Sequence, residues 1–334
     1  MKCSQVPIVN FYSIATGSST ENVPLNRYSD IQPYDRTRVM APSSDDPSTL
    51  GYLNASWVLE RFGHKWWIAA QAPLRYSAHS FIRTIVQPID LPYRLLNGEN
   101  GAKKTQIRTV VQLTLNEEGG RRKADTYFPD TVGSSLVLHP ETGCYDPLYK
   151  VKLVASRTIP EAHCLHRTVA VYPANAGANS TSSVVFQHLL YTSWPDHGVP
   201  EPEVRDSLLA FVKLVDSINR DKTLSAGATQ HESDDLDPDP PVIVGCSAGV
   251  GRTGSFIAMS SLLRDAGVLP PADAPTPLSA CPPSPLGSIP KEFGGDRVVQ
   301  EIDFLRDQRP GMVQRPAQME LVYEVFMDAF TGGQ

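Results

Sequence analysis

Residues 242–256 read VIVGCSAGVGRTGSF, and no other stretch narrows the folds open to this chain as much. Val242–Val244 is a short apolar run ahead of a turn, the pattern of a buried strand. After Arg252, the stretch RTGSFIAMSSLLRDAG places Phe256, Met259, Leu262 and Leu263 at helical spacing. Cys246 therefore sits at a strand-to-helix turn. Backbone N–H groups converge at such a turn, and the helix dipole favours negative charge there.

The residue types in the turn suit a phosphate group. Gly249, Gly251 and the small Ser247 and Ala248 let the backbone curl, so that the N–H groups from Ser247 through Val250 to Gly251 form an anion nest. Arg252 can add a planar fork to two phosphate oxygens, which a lysine cannot match. The same positive field lowers the pKa of Cys246 and makes it a nucleophile at the floor of the site. Thr253 can hydrogen-bond the sulfur and stabilise it as a leaving group. The eight histidines show no paired metal-ligand spacing, so neither metal nor cofactor is expected.

The rest of the chain sets the frame. Period-two runs rich in β-branched and aromatic residues predict strands at 66–70, 107–115, 149–155, 168–172 and 184–192. Helical spacing joins Val204, Leu208, Phe211, Val212, Val215 and Ile218; then Val298, Ile302 and Leu305; then Val322, Val325, Phe326 and Ala329. Clustered strands followed by alternating helix and strand predict a single α/β (α+β) domain, a highly twisted mixed sheet flanked by helices. Residues 221–241 are acidic, and residues 267–295 hold eight prolines. Both segments are poor in apolar residues, so both are expected to be disordered surface insertions. Pro282–Pro285 supplies one minimal PxxP for an SH3 or WW partner; the plainer reading is a flexible loop.

Charge and cysteine usage exclude several classes. A net charge of −6 and a pI near 5.8 disfavour nucleic acid or an anionic membrane as partner. No apolar stretch approaches the ~18 residues of a membrane span. The opening MKCSQVPIVNFYS lacks the charged and apolar regions of a signal peptide. Cys3, Cys144, Cys164, Cys246 and Cys281 are odd in number and never in CxxC spacing. Reduced thiols in the cytoplasm are expected.

CSAGVGRTG resembles the signature loop of the protein tyrosine phosphatases, in their phosphotyrosine-specific, non-receptor branch. NRYSDIQPYDRTRV (26–39) resembles that branch's phosphotyrosine-recognition loop. GYLNASWV (51–58), WWIAAQAPL (66–74), KADTYFP (123–129), YTSWPDHGVPE (191–201) and QRPGMVQRPAQMELVYEVF (308–326) match further motifs in order. The matches run over roughly residues 22–330, with the two insertions between them. They imply a catalytic domain at 22–332 behind an N-terminal extension, 1–21, expected to be poorly ordered.

The resemblance also implies roles. Cys246 is the nucleophile and Arg252 the phosphate clamp. Asp196 on a mobile Trp-Pro-Asp turn is the general acid and then the base. Gln314 and Gln318 position the hydrolytic water; without the resemblance they read as solvated amides at a helix start. Tyr28 walls a cleft deep enough to admit phosphotyrosine and exclude phosphoserine, and Asp30 holds the substrate backbone; alone, they read as a turn aromatic and a turn carboxylate. Lys123 pairs with Asp196 or the phosphate, and Glu118 orients Arg252, where each alone reads as a solvated charge. The substrates implied are phosphotyrosine-containing proteins.

Three positions depart from the family pattern. Gly245 stands where a histidine usually precedes the nucleophile, which removes one source of thiolate stabilisation. Ala124 replaces a second cysteine often found beside the site, so oxidation is expected to end in sulfenic acid or a sulfenamide with the Ser247 nitrogen. Ser29 replaces a commonly basic residue. The alternative from another class is a weak or inactive phosphotyrosine-binding module, for which Gly245 is the main support.

Overall fold

A computed structural model describes residues 8–42, 50–92, 105–140, 146–173, 183–196, 198–224 and 237–331. The strands are β1 (Arg38–Pro42), β2 (Leu50–Leu59), β3 (Trp66–Gln71), β4 (Thr109–Gln112), β5 (Glu117–Glu118), β6 (Arg121–Arg122), β7 (Ser135–Leu138), β8 (Tyr149–Ile159), β9 (Cys164–Pro173), β10 (Val184–Tyr191) and β11 (Val242–Cys246). The helices are α1 (Ile8–Phe11), α2 (Ala78–Val86), α3 (Arg205–Arg220), α4 (Gly251–Asp265), α5 (Arg297–Gln308) and α6 (Pro316–Thr331).

Nine strands make one mixed sheet in the order β1-β2-β3-β11-β4-β10-β9-β8-β7, while β5 and β6 form a separate hairpin. The central strands β3, β11, β4 and β10 run parallel, and antiparallel pairs flank them. Alternation along β11 divides the core. Val242 and Val244 join one apolar cluster with residues of α3, α4, α5 and α6, and Ile243 joins the other with Phe81, Ile82 and Ile85 of α2. A strand covered on both faces needs an unbroken apolar sequence, which is why this run does not alternate.

Helix α4 is buried along its whole length from Gly251 to Arg264. Its serines are accommodated by hydrogen bonds within reach: Ser255 Oγ donates to Gly251 O at 3.1 Å, Ser260 Oγ to Phe256 O at 2.9 Å, and Ser261 Oγ to Glu301 at 2.6 Å. At its C-terminal end, Arg264 reaches Glu60 at 3.2 Å and Asp216 at 3.0 Å. Arg220 bridges Asp216 at 2.9 Å and Asp239 at 2.7 Å, and Asp239 also pairs with Lys65. This buried ion network joins α3, α4, the β2–β3 turn and the segment before β11.

The five predicted strands and three helices are all present, though the run at 107–115 pairs only over Thr109–Gln112. The expectation of disorder fails for residues 267–295. They form a strap in which Leu269, Ala272 and Thr276 are buried and Leu278 and Cys281 pack against the α2-side core. Thr276 exchanges hydrogen bonds with His64 at 3.0 Å, and Arg220 and Arg264 donate to the carbonyls of Pro271 and Pro270. Prolines lose little entropy on ordering, and a few spaced apolar anchors suffice to hold them. Ser284, within the PxxP, donates to Asp307 at 3.1 Å.

Residues 8–21 are also packed, contrary to the expected poor order. Phe11 is buried under the Arg36 guanidinium, 3.8 Å from its ring centroid, and Asp35 accepts from the amides of Ala15 and Thr16 at 3.0 Å. For the acidic insertion, residues 225–236 lie outside the described residues. Its end at Asp239 is fixed by the ion network.

Candidate active site

Cys246 ends β11 and Gly251 begins α4, so the turn between them is held by two rigid elements. Gly249 has φ +71°, and a Cβ there would lie 2.2 Å from Ala70 O, so only glycine fits. The carbonyls of Ala248 and Gly249 are bound from behind by Arg309, at 3.1 and 2.8 Å. Arg309 is itself buried against Ser56 Oγ (3.1 Å) and Asn54 Oδ1 (2.9 Å). With its carbonyls occupied, the turn presents its N–H edge to the sulfur. Val250 O accepts from the amides of Gly254 at 2.8 Å and Val313 at 3.3 Å, which fixes the turn to the segment ahead of α6.

Burial pushes the Cys246 thiol up, but the Thr253 hydroxyl, the Arg252 charge and the amides of Thr253 and Val250 outweigh it, and the net shift is downward. Thr253 Oγ1 is buried and takes no hydrogen-bond partner among the N and O atoms of the described residues, which leaves it to the sulfur. The loop thus favours the thiolate without a histidine at position 245. The two other described cysteines behave oppositely: burial raises Cys164 to about 12 and Cys281 to about 11.

The Arg252 guanidinium is held as a fork. It donates to both oxygens of Glu118 at 2.8 Å, to Leu113 O at 2.9 Å and to Pro195 O at 3.0 Å. Burial alone would lower the Arg252 pKa, but the Glu118 bond and the nearby Cys246 and Asp196 charges raise it. Burial raises Glu118, and Arg252, the Leu115 amide and the Thr114 hydroxyl pull it below its ordinary value. Glu118 sits on the β5–β6 hairpin, where Glu117 pairs with Arg122 and Glu118 with Arg121.

Asp196 converges on the same place. Its carboxylate pairs with Lys123 at 2.8 Å and lies 3.4 Å from Arg252. Trp194 anchors the loop: it is buried, and its Nε1 donates to Gly198 O at 3.2 Å, closing the turn. His197 lies outside the described residues. On the opposite side Tyr28 OH lies 2.8 Å from Ser247 Oγ, which donates to Lys123 O at 2.8 Å. The Tyr28 loop is fixed by Gln71, which accepts from Arg27 N at 2.9 Å and donates to Leu25 O at 2.8 Å.

Two further expected residues stand at the edge. Gln318 is buried against Gly251, where a Cβ would come within 2.9 Å of its amide, and Gln314 is exposed just after the strained Val313. Asp30 is exposed at the rim and Ser29 beside it is exposed too. Sequence reasoning missed Arg309, Arg27 and Gln71. Arg309 stood inside a quoted motif, and its place between a helix end and Pro310-Gly311 was the one available signal.

The family model for protein-tyrosine phosphatase matches residues 22–90 and 101–269, more than half of the chain. The chain belongs to the protein-tyrosine phosphatase family. Among relatives of the phosphatase domain, tyrosine-protein phosphatase non-receptor type 14 of Mus musculus is 27% identical over 328 residues, covering 94% of this chain and 21% of the relative. Receptor-type tyrosine-protein phosphatase eta of Gallus gallus is 32% identical over 245 residues, covering 73% of this chain and 14% of the relative. The chain thus spans about a fifth or less of the length of these relatives. PTPN18 in complex with HER2 phosphopeptides shares the phosphatase fold at a TM-score of 0.63 and 23% identity, over 96% of this chain and 93% of that one. Among the described residues no helix is long and apolar enough to cross a membrane, and no group of His, Cys, Asp or Glu could hold a metal ion.

Proposed function

We propose that the chain hydrolyses phosphotyrosine in proteins through a phosphocysteine intermediate. The observation that carries this reading is the meeting of three groups: a thiol shifted towards thiolate, an arginine fork whose charge helps shift it, and a turn carboxylate 3.4 Å from that arginine. Cys246 Sγ attacks phosphorus; the S–P bond forms and the P–O bond to tyrosine breaks. Asp196 gives its proton to the leaving phenolic oxygen, which would otherwise depart as a poor leaving group. The amides of Ser247, Ala248, Gly249, Val250 and Gly251, with Arg252, hold the phosphate oxygens as charge builds. Gln314, supported by Gln318, then orients a water whose proton passes to Asp196. The new O–P bond releases phosphate and returns the thiolate, which Thr253 stabilises. Lys123 holds Asp196 in place between the two steps.

Substrate selection follows from depth. Tyr28, tied to Ser247, packs on the substrate ring, and Asp30 at the rim takes the peptide backbone. Phosphopeptides are the ligands of the structurally similar PTPN18, which supports proteins bearing phosphotyrosine as substrates. A thiolate nucleophile needs a reducing compartment, so we place the activity in the cytoplasm. Gly245 favours a second reading, a binding module without turnover.

One assay separates them. The purified chain is given phosphotyrosyl and phosphoseryl peptides in the presence of chelator. Turnover of the phosphotyrosyl peptide alone is expected, and Cys246→Ser should abolish it while keeping phosphopeptide binding. Binding without turnover in the wild type establishes the second reading instead.

A further inference from the structure

Three hydrogen bonds converge on one residue at the foot of the Asp196 loop. The β8–β9 turn closes through His163, which adopts the left-handed conformation at φ 42°, ψ 43°. Its carbonyl accepts from Thr192 N and from Thr192 Oγ1, both at 2.9 Å. Its ring Nδ1 lies 2.6 Å from Ser193 Oγ. Thr192 and Ser193 are the two residues between the end of β10 and Trp194-Pro195-Asp196. The ladder of β10 on β9 ends at Tyr191↔Cys164, so His163 carries the grip one step beyond the sheet, onto the loop.

The turn behind His163 is firm. Ala162 and Cys164 on either side of it are buried in the core, and the 160–162 turn packs on α3. From this fixed base the imidazole reaches a loop whose far end must keep Asp196 beside Arg252 and Lys123. We infer that His163 is a positioning residue for the acid loop, holding its hinge through Ser193 so that Asp196 stands over the phosphate. This rests on the phosphotyrosine-hydrolysing reading above. A hydroxyl can donate or accept, so the Ser193 bond suits either tautomer of the imidazole, and the role is positional.

The substitutions follow from the geometry. His163→Ala removes the side-chain bond and puts a Cβ residue with no local compensation in a left-handed position. His163→Asn tolerates that conformation and can still reach a neighbouring hydroxyl. Ser193→Ala removes the partner and leaves His163 untouched. One neutral hydrogen bond corresponds to roughly a threefold to tenfold change in rate.

The test is turnover of a phosphotyrosyl peptide and of an aryl phosphate whose leaving group needs no acid, with hydrogen exchange over residues 191–201. His163→Ala and Ser193→Ala should each lower kcat on the peptide by about threefold to tenfold, with KM within about twofold. The loss on the activated aryl phosphate should be smaller, exchange at 191–201 should quicken, and His163→Asn should recover most of both. Equal losses on both substrates, an effect on KM alone, or unchanged exchange would overturn the inference. A wild type without turnover refutes the functional reading; exchange at 191–201 still tests the grip on the loop.

Discussion

Gly245 is where this loop differs from its family, and the structure gives the difference a magnitude. In the pairing of β11 with β3, Gly245 lies opposite Ala70, and an added Cβ would come 2.7 Å from Ala70 O. That is at least 0.7 Å inside ordinary contact, and the obstacle is backbone rather than the free end of a side chain. The cavity beside Gly245, lined by Ala72, Phe81, Tyr127 and Cys246, holds about 20 Å³. That is room for about one water and far less than an imidazole. Gly245→His must therefore part β3 from β11 or displace Tyr127 and Phe81. Overpacking of this kind costs about 1–3 kcal/mol.

The same substitution acts on Cys246 with the opposite sign of benefit. An imidazolium, or its hydrogen bonds, beside the sulfur favours the anion and moves the thiolate pKa further down. Gly245→Ala carries the Cβ without the imidazole, so it isolates the steric part. Urea unfolding reads stability, and the acid limb of iodoacetate inactivation against pH reads the thiolate. Both variants should lose stability, by about 1–3 kcal/mol, and only Gly245→His should move the limb to lower pH. Two results would refute this. If Gly245→Ala is as stable as wild type, the close approach to Ala70 does not constrain the position. If histidine leaves the limb unmoved or raises it, the amide nest, Thr253 and Arg252 already saturate the thiolate.

Two further outcomes can be checked. Glu118→Ala should weaken inhibition by inorganic phosphate about tenfold or more and destabilise the fold, because a buried guanidinium loses both charged bonds of its fork; Glu118→Gln should lose less, and unchanged phosphate inhibition would mean Glu118 does not position Arg252. Glu301, lifted by burial from 4.5 to about 8, binds its proton in the fold and not in the unfolded chain between those values. Its contribution makes stability fall as pH rises across that window, by at most about 1.4 kcal/mol per unit, and Glu301→Gln should flatten the slope of unfolding free energy against pH.

What could be read from sequence was local. Cys246, the glycines and Arg252 lie within seven residues, so strand, turn and helix start specify one another directly, and the chemistry of the turn follows from composition and spacing. The roles given to Asp196, the Tyr28 loop and Lys123 were legible through their resemblance to family motifs. Taken singly, Asp196 reads as the acidic tip of a surface turn, Tyr28 as a half-buried turn aromatic and Lys123 as a solvated charge. Arg309 escaped because its targets, the carbonyls of Ala248 and Gly249 and the side chains of Ser56 and Asn54, lie about 60 and about 250 residues away along the chain.

The proline-rich strap shows why composition misled. Low apolar content argues for disorder only when a segment must order itself by burying its own side chains. Here the strap is ordered largely by what it accepts. The carbonyls of Pro270 and Pro271 take hydrogen bonds from Arg264 and Arg220. Those arginines are themselves held by Glu60, Asp216 and Asp239. Arg264 is the last buried residue of the helix whose first turn bears Arg252. The strap therefore packs on the far end of the element that carries Arg252, and its order is inherited from an ion network that no window of sequence contains.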